Sequence, residues 1–179
     1  MTPRAAAPPT MARSPFIADI VALRRHQGHR ERLTVHAPLA DLRVTGSEVP
    51  AGEPVDLDLQ LEAVEGGIVV TGTARAHWVG ECRRCLQPVE GELTAEIDEL
   101  FVTDSEEGET YPIGRDHIDL EPLAREALVL ALPLAPLCRD DCAGLCPTCG
   151  ADLNRGPCGC PAADTDPRWA ALDALRPEP

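Results

Sequence analysis

This chain contains no lysine: all 16 of its Lys/Arg positions are arginine. That bias reads as a GC-rich coding sequence rather than as chemistry. Aromatics are nearly absent as well, with two Trp, two Phe and one Tyr making up 3% of the 179 residues. The core must therefore be aliphatic. A thin core is one reason to expect metal staples, because a structural zinc in a small motif contributes about 10–16 kcal/mol. Long apolar runs are missing too. The longest, Ala127 to Leu137, is short and is cut by Pro133 and Pro136, which excludes a membrane-spanning helix there. The opening MTPRAAAPPTMARSP has no apolar h-region, so a secretory signal peptide is not expected and a cytoplasmic setting with reduced thiols is. No Gly-rich phosphate loop, His-Glu-x-x-His or nucleophile elbow occurs. Asp116-His117 has no placed nucleophile beside it and reads as a polar surface. Nothing here predicts an enzyme.

Positive charge is scarce. Sixteen Lys+Arg face 30 Asp+Glu, for a formal net charge of −14. Each zinc held by four thiolates would add −2, so two such sites take the chain to about −18. A surface this negative repels a phosphate backbone and attracts a basic protein. The dense basic cluster is Arg24, Arg25, His26, His29, Arg30 and Arg32. It reads first as a solvated loop, and as a functional feature it would be a local contact to RNA or a partner.

What the chain does have is cysteine. Eight are spaced as Cys82-x2-Cys85, Cys138-x3-Cys142-x3-Cys146-x2-Cys149 and Cys158-x-Cys160. Eight thiols make two complete four-ligand sets, and a C-x2-C pair delivers two ligands from one tight turn to a tetrahedral ion. In Cys146-Pro-Thr-Cys149-Gly150 the proline presets the turn and the glycine permits positive φ. A disulfide framework does not suit an unexported chain. A thioredoxin-like pair needs its first Cys at a helix N-terminus, whereas the flanks of Cys82 and Cys85 read as strands. An iron–sulfur cluster remains open, although the gaps of three and three before Cys146-Pro147 differ from a ferredoxin run. Two zinc ions are the expected cofactor. Arg83 and Arg84 sit between two thiolates, where they would screen the site or reach a phosphate. His77 reads as a strand side chain rather than a ligand.

Residues 1–15 read as a disordered tail, with Met11 a second candidate start. Phe16 to Leu23 is a strand-like run, followed by a basic connection through Arg32 and a strand from Leu33. Asp41 to Thr45 alternates apolar and polar residues. Val55 to Glu62 alternates strictly, Glu65-Gly66-Gly67 signals a hairpin, and Ile68 to Val79 is the return strand. Val89 to Phe101 alternates again, placing the first C-x2-C at the tip between two antiparallel strands. Asp104 to Glu109 is an acidic loop. A helix is expected over 119–131, with Asp119 as N-cap and a stripe of Leu120, Leu123, Ala124, Ala127, Leu128 and Ala131. A short terminal helix should start at Asp166-Pro167, with Trp169, Leu172 and Leu175 on one side. The expected fold class is α+β: a mostly antiparallel sheet or partly open barrel with one main helix (16–137), then a Cys-rich, zinc-ribbon-like module and terminal helix (138–179).

Four ordered elements carry a resemblance. They are the Cys82-x-Arg84-Cys85 knuckle after a long hairpin, the helix end Glu126 to Pro136, the run Cys138 to Asn154, and Asp166-Pro-Arg-Trp with the helix after it. Together, over roughly residues 16–176, they resemble the YceD family, the large ribosomal RNA subunit accumulation proteins of bacteria and plastids. The resemblance implies a non-enzymatic role in ribosome biogenesis, with a ribosomal protein or large-subunit rRNA precursor as partner. Genes of this family commonly lie beside one for a small, basic large-subunit ribosomal protein. Some relatives lack the later cysteines, which suggests a pairing of Cys82, Cys85, Cys138 and Cys142 in one site and Cys146, Cys149, Cys158 and Cys160 in the other. Grouping Cys138 to Cys149 together, with Cys82 and Cys85 joining Cys158 and Cys160, is the alternative. A thiol-based redox or zinc-sensing switch is the competing function.

Overall fold

The structure is a computed structural model that describes residues 14–105, 108, 110–161 and 168. The expected terminal helix, with Trp169, Leu172 and Leu175, lies outside these residues. So do most of the N-terminal tail and Glu106, Glu107 and Glu109 of the acidic loop.

Strictly alternating sequence makes the main sheet. Among the described residues, strands β1 (Ile17–Asp19), β2 (Arg30–Pro38), β3 (Ser47–Glu48), β4 (Pro54–Val64), β5 (Gly67–Glu81), β6 (Pro88–Val102), β7 (Tyr111–Pro112) and β8 (His117–Asp119) precede one α-helix, α1 (Glu121–Ala131). The large sheet runs β2-β4-β5-β6-β7, and β3 pairs with the far end of β5. All its pairings are antiparallel except β6 with β7. A separate ribbon joins β1 to β8. Among the described residues neither sheet closes on itself.

Period-2 patterning puts every second side chain on one face. Leu57, Leu59 and Leu61 of β4, Ile68 and Val70 of β5, and Ile97 and Phe101 of β6 are all buried there. Helix α1 lays Leu123, Ala124 and Leu128 into the same core, while Ala131, expected on the stripe, is exposed. Each fully buried Leu stabilises the fold by about 1.5–3 kcal/mol. Gly72 is obligatory: its φ is +148°, and a Cβ there would lie 2.1 Å from the Asp58 carbonyl oxygen on β4.

Several local expectations need correction. The run Phe16 to Leu23 is a strand only over Ile17–Asp19 and then closes into a one-turn 3-10 helix at Leu23–Arg25. Ile20 and Leu23 are fully buried, so the apolar run fills the core as a turn rather than extending a sheet. Arg30 and Arg32 belong to β2 and not to a loop. Asp41 to Thr45 forms no strand, only an isolated bridge between Arg43 and Glu48. Helix α1 starts at Glu121 with Leu120 in the cap position. Asp119 is the last residue of β8, and its carboxylate accepts the Glu121 N–H at 2.9 Å.

Candidate metal centre

The β5–β6 hairpin ends in Cys82-Arg-Arg-Cys85. The Cys82 N–H donates to the Gln87 carbonyl and the Leu86 N–H to the Cys82 carbonyl, both at 2.8 Å. The second knuckle repeats this pattern. There the Cys146 N–H donates to the Ala151 carbonyl and the Gly150 N–H to the Cys146 carbonyl, again both at 2.8 Å. The residue after the second thiol has left-handed backbone in each: Gly150 at φ 72° and Leu86 at φ 59°. Glycine suits this backbone best, and in the first knuckle a leucine takes the place.

The chain then brings the thiols together in two groups. Cys82, Cys85, Cys138 and Cys142 lie with all sulfurs within 4.8 Å of one another, and so do Cys146, Cys149, Cys158 and Cys160. This is the first of the two groupings considered from sequence. In the first quartet the Cys82–Cys142 sulfurs are 3.8 Å apart and the Cys85–Cys138 sulfurs 3.6 Å. A tetrahedral ion with bonds of about 2.3 Å to sulfur sets ligands about 3.8 Å apart. The donor set, four sulfurs with no carboxylate, fits zinc or an iron–sulfur centre rather than a hard cation. All eight thiols are free.

Electrostatics argue for a cation. In the first quartet, burial opposes ionisation of Cys82, but backbone N–H groups of Cys138, Cys85 and Arg84 hold it down to about 6. Cys138 is pushed up to about 12 by burial and then by the neighbouring thiols. In the second, the backbone N–H groups of Cys149 and Thr148 hold Cys146 down to about 6, while Cys149 and Cys158 push Cys160 up to about 12. Four thiolates this close cannot all ionise unless a positive ion shares the site.

Surrounding residues lock the geometry. The Arg84 guanidinium donates to the carbonyls of Asp140 at 3.1 Å and Cys142 at 2.9 Å, so it ties the 138–142 loop to the hairpin tip. The Arg83 N–H donates to the Pro136 carbonyl, and its side chain is exposed. Asn154 is the residue sequence reasoning missed. Its amide nitrogen donates to the Cys142 sulfur at 3.5 Å, and its oxygen accepts from the Ala143 N–H at 2.8 Å and from Arg139 at 2.6 Å. Burial opposes ionisation of Cys142, but this bond helps keep its thiol below the ordinary range. Its signal was present in Asp152-Leu-Asn154, where Asp152 caps the short 3-10 turn Leu153–Arg155.

The basic cluster is dispersed. Arg32 makes a two-point pair with Asp58 at 2.9 and 2.6 Å, and Arg30 pairs with Glu62 at 3.0 Å. Arg24 donates to the Arg115 carbonyl at 3.4 Å. Arg25, His26 and His29 stay exposed on the connection before β2. His77 faces Glu53 and Glu90 and belongs to neither thiol group.

The sequence model of the family described as "Large ribosomal RNA subunit accumulation protein YceD" matches residues 70–176. This chain belongs to the YceD family. The family match covers both thiol quartets and α1 but begins at residue 70, later than the motifs implied. Uncharacterized proteins of Mycobacterium tuberculosis and Mycobacterium bovis are 43% identical over 175 residues, covering 92% of this chain and 84% of theirs. An Arabidopsis thaliana protein named large ribosomal RNA subunit accumulation protein YCED homolog 1, chloroplastic, is 25% identical over 170 residues, covering 75% of this YceD chain and 53% of its own length. No solved structure matches significantly. Among the described residues no helix is long and apolar enough to cross a membrane.

Proposed function

We propose that this YceD protein is a non-enzymatic, zinc-stabilised factor that supports accumulation of large-subunit ribosomal RNA. It works in the cytoplasm, during large-subunit assembly, by binding a basic ribosomal protein or precursor RNA. The observation that carries the metal and mechanism is closure. Each thiol group offers four sulfurs within 4.8 Å, whereas a catalytic zinc keeps one position for water or substrate. Filled quartets are clasps, so the protein acts through its surface. That surface favours a protein partner, because Arg30 and Arg32 are spent on Glu62 and Asp58 and the net charge is −14.

A thiol switch is the second reading, favoured by exposed Cys138 at 3.6 Å from Cys85. Zinc content and thiol titration before and after chelation separate the two. Two tightly held ions per chain, masked thiols and no turnover of RNA are expected. Labile metal with a reversible disulfide would favour the switch. A pull-down at moderate ionic strength should recover ribosomal proteins or large-subunit precursors; recovering only metabolic enzymes would count against ribosome assembly.

A further inference from the structure

Strand β6 is an open edge over most of its length. Its partner β7 pairs only with Phe101 and Val102, and among the described residues no strand pairs with the outer side of Pro88 to Glu99. The register with β5 runs from Glu81↔Pro88 to Gly67↔Val102 without a bulge, so backbone direction alternates regularly. The Val102 carbonyl accepts the Ile113 N–H on the β7 side, and the Gln87 carbonyl accepts the Cys82 N–H on the β5 side. Even-numbered residues from Glu90 to Asp98 therefore point both N–H and C=O outward, with no strand among the described residues to meet them. The same residues carry the acids: Glu90, Glu92, Glu96 and Asp98 are all exposed.

Beside this edge runs a groove of about 330 Å³ between β6 and α1. Ile97, Leu123, Ala127 and Leu130 line it with apolar surface, and Glu96, Glu99 and Glu126 add acid. Leu130 is 79% exposed, unusual for a large apolar side chain on a packed helix. Tyr111 closes the end of the groove, its hydroxyl donating to Glu126 at 2.6 Å.

We infer that the β6 edge and its groove receive an extended basic segment of a protein partner as an added strand. Main-chain groups of the segment would continue the ladder. Its alternate side chains would be apolar toward α1 and Arg or Lys toward the acid row, the alternation that strand addition imposes. A second copy of this chain is disfavoured, since pairing two such edges would set acid against acid. RNA is repelled by the same row. The other edge, β2, turns Arg30 and Arg32 to solvent already paired to acids. This inference deepens the proposed function by naming where a basic partner would dock, and it rests on that reading.

The test uses the metal-loaded full chain and a ten-residue peptide alternating Arg and Val, with a copy N-methylated at alternate amides as control. Thr94→Pro removes one outward N–H and leaves the β5 ladder intact, since proline is tolerated on edge strands. Expected results are binding that weakens with salt, loss of binding to the methylated copy, at least about tenfold weaker binding by Thr94→Pro, and new amide-exchange protection at Thr94, Glu96 and Asp98. If Thr94→Pro alters metal content or circular dichroism, the pair Glu92→Arg with Glu96→Arg decides by the same tenfold criterion. Equal binding of both peptides and both variants would overturn the inference. So would cells in which an edge variant lost peptide binding yet accumulated large-subunit RNA and recovered its partners normally, an outcome that leaves the assembly role standing. If even the unaltered chain fails to associate with large-subunit components, the assembly role falls, and the peptide measurements still decide the edge.

Discussion

Leu86 and Gly150 occupy the same place in two knuckles with the same hydrogen bonds, and only one is suited to it. Left-handed backbone costs a non-glycine residue about 1–2 kcal/mol, against a glycine entropy cost of about 0.5–1 kcal/mol. Leu86 is 58% exposed, so it recovers little by burial. Leu86→Gly should therefore raise the melting temperature of the metal-loaded protein, by up to about 1 kcal/mol of stability. Gly150→Ala should lower it by about 1 kcal/mol, because nothing lies within 4 Å of a Cβ there and only backbone strain is added. If Leu86→Gly instead destabilises, the leucine has a contact in solution that its exposure does not suggest. Gly150 was readable in Cys-Pro-Thr-Cys-Gly. Leu86 was not, because the turn is imposed by the strands on either side. Asn154 was half legible: Asp152-Leu-Asn154 marks the capped turn, but its partner Cys142 is 12 positions away and nothing local ties an asparagine to that sulfur.

At the scale of elements, the first quartet brings together parts distant in sequence. It joins the β5–β6 tip to the stretch after α1, so Cys85 meets Cys138 across 53 positions. Cys85→Ser should release one metal per chain in native mass spectrometry. Amide exchange should then rise at the hairpin tip and around residues 136–142, with the middle of β4 and β5 unchanged. Uniform loss of protection would mean instead that the clasp holds the whole sheet. Strands β4, β5 and β6 were legible because half-burial demands strict alternation. The segment 16–23 was not, since a short apolar run looks alike whether it extends or turns.

For the whole molecule, charge decides which partners are attracted. Reversing Arg30 and Arg32 would set acids opposite Glu62 and Asp58 and disturb β2, confusing folding with binding. Replacing Arg24, Arg25, His26 and His29 together by alanine avoids those pairs. If protein contacts dominate, cells carrying this variant should keep normal large-subunit RNA. A fall in that RNA, with zinc content unchanged, would point to direct RNA contact through the connection before β2. The sequence by itself determined the number and type of candidate metal-ligating residues, the alternating strands, the helix and the excess of acid, because these are local or compositional properties. Tertiary structure decided which sulfurs share a site, that Arg84 ties loops and Asn154 bonds a sulfur, and that most of β6 has no strand on its outer side among the described residues, beside a groove. Those depend on which distant segments the packed core brings within bonding distance, and spacing along a chain does not encode that distance.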